Sequence, residues 1–264
     1  LPISNSSYGK YAASDYNNRT AQRSIYETEH RLFATMSSTH YFLGADKPTT
    51  FNLYFERKSG LPGTYSWDTY TSRNYGGTAY QREAFGYEKN LNDDSSHLIY
   101  VPTGLTDPNV CWGSCAGAPD LAIANQVLDM LYNQLGLASY AGQIVPNGVY
   151  EYPWQTSLDL KITQILPGFR AEDEFVISLG IENLLNLIDS DNGEIKYGPY
   201  NGKMAVLDMF MNDDFSKYIY PNYKGRGYPD WAFGFNQNNP KGIRKSAVNS
   251  IWRAQLGFTY KFSF

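Results

Sequence analysis

Two adjacent pairs of carboxylates are the first residues whose types could do chemistry. Asp93-Asp94 and Asp213-Asp214 could bind a divalent cation or supply a general acid and a general base. Each pair follows an asparagine, in a segment that has the composition of a loop. Because Asp and Asn side chains stabilise turns by hydrogen bonding to their own backbone, we predict solvated turns at both places.

Two other patterns suggest chemistry only superficially. Asp189-Ser190-Asp191-Asn192-Gly193-Glu194 resembles a calcium loop, but its glycine is fifth rather than sixth and no glutamate follows at the twelfth position. Ser66, His97 and Asp94 have the residue types of a nucleophilic triad, although any chain of this length contains such a combination. No nucleophile elbow, phosphate loop or zinc motif occurs, so we expect no enzymatic activity, no metal and no cofactor.

The two cysteines lie close together in a Gly-rich stretch. Cys111 and Cys115 have no histidine or second cysteine pair beside them, which disfavours a zinc site. In an exported protein the oxidising surroundings favour a local disulfide over two unrelated thiols, provided that Gly113 turns tightly enough to bring the α-carbons within about 7 Å. We predict this disulfide, close to a helix that begins at about Asp120.

Aromatic side chains are a third feature with a functional interpretation. They make up 16% of the chain, and many follow residue 58. Tyr65, Trp67 and Tyr70 are candidate ligand-binding residues, because rigid aromatic side chains supply contact area at a low cost in entropy. The alternative is that these side chains pack the segment against itself.

The composition limits the class of protein that can carry these residues. Of the 264 residues 18% are charged, and the formal net charge is -4, so we expect no basic face and no nucleic-acid partner. The chain has no run of about 18 apolar residues, which excludes membrane spanning by helices. Spanning by strands agrees with this composition, because a transmembrane barrel alternates apolar lipid-facing residues with polar lumen-facing ones.

Apolar and polar residues alternate in five segments, each long enough to cross an outer membrane as a tilted strand of about 9 to 11 residues. The clearest is Ser250–Phe264. The positions predicted to face lipid are Trp252, Leu256, Phe258 and Phe262, and those predicted to face the lumen are Arg253, Gln255, Thr259 and Lys261. We predict strands near residues 30–41, 49–57, 154–166, 174–186 and 250–264.

The connections between these strands alternate between short and long. Residues 42–48 and 167–173 are short turns, whereas residues 58–153 and 187–249 are long, and residues 1–29 fall at the same end as the long segments. Outer-membrane barrels have short periplasmic turns and long extracellular loops. We therefore predict an all-β fold, an antiparallel transmembrane β-barrel segment made of the C-terminal strands of a larger barrel.

The longer of the two predicted loops also contains a helical pattern. Within Ala118–Leu137 the apolar residues recur at helical spacing, after a start signal at Pro119-Asp120. These residues are Leu121, Val127, Leu128, Leu131 and Leu135. We predict a short surface helix whose apolar stripe is buried against the rest of the loop.

A resemblance to a known family agrees with this pattern. Tyr260-Lys261-Phe262-Ser263-Phe264 resembles the closing strand of outer-membrane barrels, which the barrel-assembly machinery reads. Phe55–Pro62, Leu98–Pro102 and Trp154–Ile162 resemble, in order and spacing, the C-terminal part of Oar-like TonB-dependent receptors. Glu182–Asn186, at the end of the penultimate strand, is similar to the strand-end segment of that family.

The resemblance implies a receptor and transporter for nutrient uptake in the bacterial outer membrane, with its loops at the cell surface. Barrels of this class have about 22 strands, and an N-terminal plug domain lies in the lumen. Because the smallest membrane barrels have about 8 strands, we expect the five strands, in a sequence without a plug, to be only the C-terminal segment of a larger barrel protein. The expected partners are outer-membrane lipid, the barrel-assembly machinery, TonB acting through the missing N-terminal plug, and a further chain if one completes the barrel.

Two other functions stay open at this point. A small self-contained barrel acting as a passive pore or surface adhesin would need further strands at His97–Pro102, Gln143–Tyr152 and Ala205–Met211. The chain could also be a soluble β-sandwich enzyme or lectin. In that case the terminal aromatic strand and the alternation of short turns and long loops would be coincidental.

Overall fold

The structure, a computed structural model, describes residues 21–68, 97–198, 202–212, 214, 216–220, 239 and 242–262. It is mostly β-sheet, with few helices. The described strands are β1 (Arg31–His40), β2 (Thr49–Lys58), β3 (Pro62–Asp68), β4 (His97–Leu98), β5 (Tyr100–Val101), β6 (Val110–Trp112), β7 (Gln143–Ile144), β8 (Tyr150–Glu151), β9 (Gln155–Pro167), β10 (Glu174–Glu182), β11 (Lys196–Tyr197), β12 (Lys203–Asp208), β13 (Phe210–Met211), β14 (Tyr218–Tyr220), β15 (Arg244–Lys245) and β16 (Arg253–Lys261). The described α-helices are α1 (Leu121–Asp129), α2 (Leu184–Ile188) and α3 (Ala247–Ser250).

The chain divides into two compact units, each made of several stretches of sequence. The sheet unit consists of Thr28–Gly60, Pro153–Tyr197 and Arg244–Phe264. The insertion unit consists of Leu1–Glu27, Leu61–Tyr152 and Gly198–Ile243.

The sheet unit is built around the five longest strands of the described chain. Their order is β1-β2-β9-β10-β16, and each strand runs antiparallel to its neighbours. These strands fall in the five segments in which alternation predicts them. The sheet is open, with β1 and β16 at its edges, so the structure shows an antiparallel sheet and not a closed barrel.

The connections of this sheet alternate as the sequence predicts. Residues 41–48 join β1 to β2 and residues 168–173 join β9 to β10, whereas β2–β9 and β10–β16 are joined by long segments. The strand residues on either side of each long segment pair with each other. Lys58 and Gln155 flank the first segment, and Glu182 and Arg253 flank the second. The long segments therefore both connect at the same end of the sheet, because successive antiparallel connections alternate between the two ends.

The turn between β9 and β10 is held by hydrogen bonds to Asp173. Its backbone carbonyl accepts from the Gly168 amide at 2.8 Å, and its carboxylate accepts from the Tyr260 hydroxyl at 2.7 Å. The Tyr260 hydroxyl in turn accepts from the Phe169 amide at 2.8 Å. A side chain on β16 thus fixes the conformation of the turn that precedes β10.

The insertion unit contains several small sheets rather than one long one. They are β12-β3-β4 with β8 on β3, β13-β14-β6, and β5-β7. Two pairings are parallel, β3 with β12 and β6 with β14. Each parallel pair joins the segment that follows β2 to the segment that follows β10, so the two long connections fold together.

One hydrophobic core fills the insertion unit. Its largest fully buried side chains come from both long segments and are Trp112, Tyr65, Tyr220, Ile99, Met130, Leu131, Leu137, Met204, Met209, Val101 and Val127. The sequence analysis treats residues 58–153 and 187–249 as loops, and in this respect the structure differs. Seven of the nine described strands of this unit are two or three residues long, too short to show an alternation, and the two longer ones, β3 and β12, pair with each other across the two segments.

The predicted helix is present but shorter than the sequence suggests. α1 is capped by Asp120, whose carboxylate accepts hydrogen bonds from two backbone amides of the first turn at 3.0 and 3.1 Å. A π-helical turn at Met130–Gln134 continues it. Val127 and Leu131 are buried as predicted, whereas Leu121 is 57% exposed, because it lies in the first turn at the surface.

Candidate functional site

The apolar residues of the five long strands share one face of the sheet. Directly paired residues of antiparallel strands lie on the same face, and the registers pair apolar with apolar. One row consists of Phe51, Ile162, Leu179 and Leu256. This apolar face comprises Leu32, Ala34, Met36, Phe51, Leu53, Phe55, Leu158, Leu160, Ile162, Leu166, Phe175, Ile177, Leu179, Ile181, Ala254, Leu256, Phe258 and Tyr260.

None of the apolar side chains of this face is buried. Its described residues are half-buried or exposed, and Leu256 and Phe258 are 58% and 62% exposed. Every described apolar side chain that is buried belongs to the insertion unit. A sheet in a soluble domain ordinarily packs its apolar face against a second layer. The sheet unit therefore presents an extended apolar surface without a core of its own.

The opposite face of the sheet carries the charges. Arg31 pairs with Glu56 at 2.5 Å, and Lys261 pairs with Glu174 at 2.9 Å. Every charged residue in the described part of the five strands lies on this face except Arg57. Arg57 was not predicted to be a functional residue. It occupies the next position in the series of alternate apolar residues of β2, and this was a signal that could have found it.

Exposed aromatic side chains mark both ends of the sheet. At the end joined to the long segments, Trp154 and Trp252 are 45% and 41% exposed. At the end with the short turns, Phe262 is 66% exposed and Phe169 is almost fully exposed, with its ring stacked on Tyr260 at 5.6 Å. Phe264, the last residue of the proposed assembly signal, lies outside the described residues.

The three candidate ligand-binding aromatics are not brought together on a described surface. Tyr65 is 1% exposed, and its ring packs 4.4 Å from that of Tyr150. Trp67 belongs to β3, where its backbone pairs with that of His97, and Tyr70 lies outside the described residues. Tyr65 is thus a core residue, as in the alternative that the aromatics pack the segment against itself, because its side chain belongs to the hydrophobic core of the insertion unit.

A disulfide joins Cys111 to Cys115, with α-carbons 5.0 Å apart. Gly113, between them, has a φ of +78°, a conformation that glycine adopts without strain. The Gly113 amide donates to the Tyr220 carbonyl at 2.8 Å, and the Asp120 amide donates to the Trp112 carbonyl at 3.1 Å. The disulfide therefore closes the turn between β6 and the N-terminus of α1.

The carboxylates that suggested metal binding have other partners where the structure describes them. Asp189 accepts hydrogen bonds from Asp191 and Asn192, which makes a turn of this segment. Glu194 pairs with Lys245 and Lys196 at 2.5 and 3.0 Å, and these bonds lower the pKa of its carboxyl. In the described part of the chain, no group of three or more His, Cys, Asp or Glu side chains could hold a metal ion.

The residues drawn as a nucleophilic triad do not form one among the described residues. Ser66 lies in β3 with no exposed surface, and the backbone of β3 pairs with β4 beside it. Asp94, like Asp93 and Asp213, lies outside the described residues, and Asp214 is exposed.

A buried carboxylate that the sequence analysis missed organises the turn between β5 and β6. Asp107 is 5% exposed and accepts hydrogen bonds from the backbone amides of Thr103 and Asn109 at 2.6 and 2.8 Å and from the Tyr100 hydroxyl at 3.0 Å. Burial raises the pKa of Asp107, but these donors lower it by more, so the net pKa is below its usual value. A carboxylate with this many donors is structural.

The tyrosines of the core also have shifted pKa values. Burial raises the pKa of Tyr152 to about 12 against an opposing hydrogen bond with Tyr150, whose hydroxyl lies 3.0 Å away. Burial, together with the neighbouring Tyr152 and Tyr65, raises the pKa of Tyr150 well above its usual value. These hydroxyls stay protonated at neutral pH and serve packing rather than acid–base chemistry.

Comparison with known proteins identifies no family for this chain. The chain matches no protein-family model, no curated protein and no solved structure. None of the described helices has the length and apolar character needed to cross a membrane. The functional interpretation therefore depends on the geometry of the two units and on the sequence itself.

Proposed function

We propose that this chain is the C-terminal barrel segment of a TonB-dependent receptor that takes up a nutrient across the bacterial outer membrane. In this proposal the five long strands form part of the barrel wall, with the apolar face against lipid and the charged face toward the lumen. The insertion unit supplies the cell-surface region that captures a peptide, a glycan or a chelated metal.

The apolar face, none of whose apolar side chains is buried, is the observation that carries the proposal. Soluble monomers rarely expose an apolar patch as extensive as five strands would make. In hydrocarbon the same face is favourable, because alternation directs the charges to the other side. The exposed aromatic rings at both ends agree with this, since girdles of aromatic residues flank the apolar band of outer-membrane barrels at both interfaces.

The edge strands support a barrel larger than the described sheet. β1 and β16 each have one neighbour, so the backbone groups on their outer sides are unpaired with any described strand. Unpaired backbone groups in hydrocarbon cost several kcal/mol each, roughly, and a sheet therefore spans a membrane only when it is closed. We infer that further strands pair with both edges.

The receptor class rests on the resemblance to Oar-like TonB-dependent receptors. The structure supplies two features that suit it: both long segments connect at one end of the sheet, and they fold into a unit that contains a disulfide. A disulfide suits the oxidising cell surface. TonB would act through an N-terminal plug, and the barrel-assembly machinery would read the closing strand that contains Tyr260 and Phe262.

The small self-contained barrel gains no support from the described strands. The segments that it needs do form strands, namely β4, β5, β7, β8, β12 and β13. These strands pair within the insertion unit, in sheets of their own. They therefore do not widen the five-stranded sheet.

Membrane fractionation of the native polypeptide tests the proposal. We expect the protein to stay in outer membranes through washes with high salt and alkali and to be released only by detergent. We also expect the same reading frame to encode a plug domain, which would give a product of about 100 kDa. Release into buffer without detergent would overturn the proposal and favour a soluble β-sandwich, whereas a membrane product of about 30 kDa would favour the small barrel. These masses are order-of-magnitude expectations for barrels of about 22 and about 8 strands.

A further inference from the structure

Arg57 is the charged residue that the alternation of β2 places on the apolar face. It follows Phe51, Leu53 and Phe55 on the same parity and pairs with Thr156 of β9. Among the described residues of the five strands, no other Lys, Arg, Asp or Glu lies on that face. An unpaired cation on an apolar surface is unfavourable unless a suitable anion or water reaches it.

The surroundings of Arg57 are aromatic. Its guanidinium carbon lies 5.5 Å from the centre of the Trp154 ring, within the range of a cation–π interaction. The His30 ring stacks with that of Trp154, with the ring centres 6.1 Å apart and the two planes 9° apart. Arg31, Lys58, Arg253 and Lys261 on the charged face have carboxylate partners, and His30 lies 3.4 Å from the Glu29 carboxylate, whereas Arg57 has no partner among the described ion pairs.

The position of this cluster along the strand matters for its function. Arg57 lies two residues beyond Phe55, which is about 7 Å along the strand. It lies at the end of the sheet to which the long segments connect, just beyond the last apolar residue that β2 contributes to this face. At the opposite end of the apolar face the corresponding positions in β2 and β9 are uncharged, Thr49 and Gln164.

We propose that Arg57 and Trp154, on which His30 stacks, form a binding site for the phosphate of an anionic lipid headgroup in the outer leaflet. The inference rests on the proposed membrane location of the sheet. The planar guanidinium donates two parallel hydrogen bonds to a phosphate, and the ring of Trp154 holds it at the boundary between apolar surface and water. The acyl chains of the same lipid would lie along the apolar row below.

The test measures lipid binding to the complete polypeptide in phosphatidylcholine nanodiscs, with bisphosphorylated lipid A as the probe and native mass spectrometry as the readout. Arg57→Gln should weaken binding about fivefold, the equivalent of about 1 kcal/mol for one cation at a membrane surface. Arg57→Lys should weaken lipid binding less than Arg57→Gln does, because lysine keeps the positive charge but cannot donate two parallel hydrogen bonds to the phosphate. Lys58→Gln is the matched control, since it removes an adjacent charge on the opposite face.

Five outcomes would overturn the inference. Equal losses for Arg57→Gln and Lys58→Gln would show general charge attraction, and unchanged binding by Arg57→Gln would show that no site exists there. Displacement of the lipid by inorganic phosphate alone would assign the site to a free anion. Insertion into nanodiscs without preference for the anionic lipid would refute this site and leave the barrel proposal intact, whereas failure to insert at all would refute both.

Discussion

The replacement of Leu256 by arginine separates a lipid-facing sheet from a water-exposed one. Leu256 lies opposite Leu179 in the apolar face, one residue from the centre of β16 at Gly257. If the strand crosses a bilayer, this position is close to the midplane, where an arginine on the lipid face costs about 2 to 4 kcal/mol. That cost lowers the equilibrium constant for folding about 30- to 700-fold.

The same substitution has a different consequence in water. Leu256 is 58% exposed, and replacement of such a residue on a soluble surface usually changes stability by less than about 0.5 kcal/mol. The matched control is Gln255→Arg, because Gln255 lies opposite Gly180 on the charged face. In a barrel this variant places its charge in the lumen and should fold like the parent protein.

The assay is reversible urea unfolding of the complete polypeptide in lipid vesicles, followed by tryptophan fluorescence and by the heat-dependent shift of the folded form on gels. We expect Leu256→Arg to lower the free energy of unfolding by about 2 to 4 kcal/mol and Gln255→Arg to leave it nearly unchanged. Equal costs for the two variants would show that the assignment of faces is wrong. No cost for either would show that β16 does not cross a bilayer.

Three further predictions concern the insertion unit. Cys111→Ser should lower its free energy of unfolding by about 2 kcal/mol, the loop-closure value for so short a loop, and free thiols in the exported protein would refute the disulfide. Asp107→Asn should cost about 1.5 to 3 kcal/mol. Because the pKa of Asp107 is lowered in the folded state, its contribution is present above the unfolded value of about 3.9 and is lost as pH falls through the folded pKa, so acid titration of the variant should show a smaller loss. Deletion of residues 64–68 removes the part of β3 that pairs with β12 and should make the unit protease-sensitive; unchanged protease resistance would contradict this pairing.

The extent of prediction from sequence differs between the two units. Alternation located the five long strands, because a strand with one apolar and one polar face repeats every two residues over its whole length. The same rule assigned Trp252, Leu256 and Phe258 to one face before any partner strand was known. The capping residue Asp120 and the close cysteines were also readable, since both depend on neighbours in the chain.

The insertion unit was not predictable in this way. Tyr65 looks like a surface anchor in the sequence, yet it is buried in a core to which residues far along the chain, such as Met204 of β12, also belong. The role of Asp107 depends on donors that a turn brings together, and a short loop sequence gives no sign of burial. Strands of two or three residues carry no period from which a face could be inferred.

By itself the sequence determined the long strands, their two faces, the alternation of short and long connections, and the local disulfide, because each is encoded in residues that are near one another. The tertiary structure decided the order of the strands, the parallel pairings that merge both long segments, and which aromatic residues are buried. It also decided that Arg57 lies beside Trp154 and that His30 stacks on Trp154, since residues from three separate segments meet only when the registers of β1, β2 and β9 are set. The physical reason is that alternation acts over neighbouring residues, whereas burial and charge pairing depend on contacts between distant ones, whose cost in loop entropy is recovered only in the folded sheet.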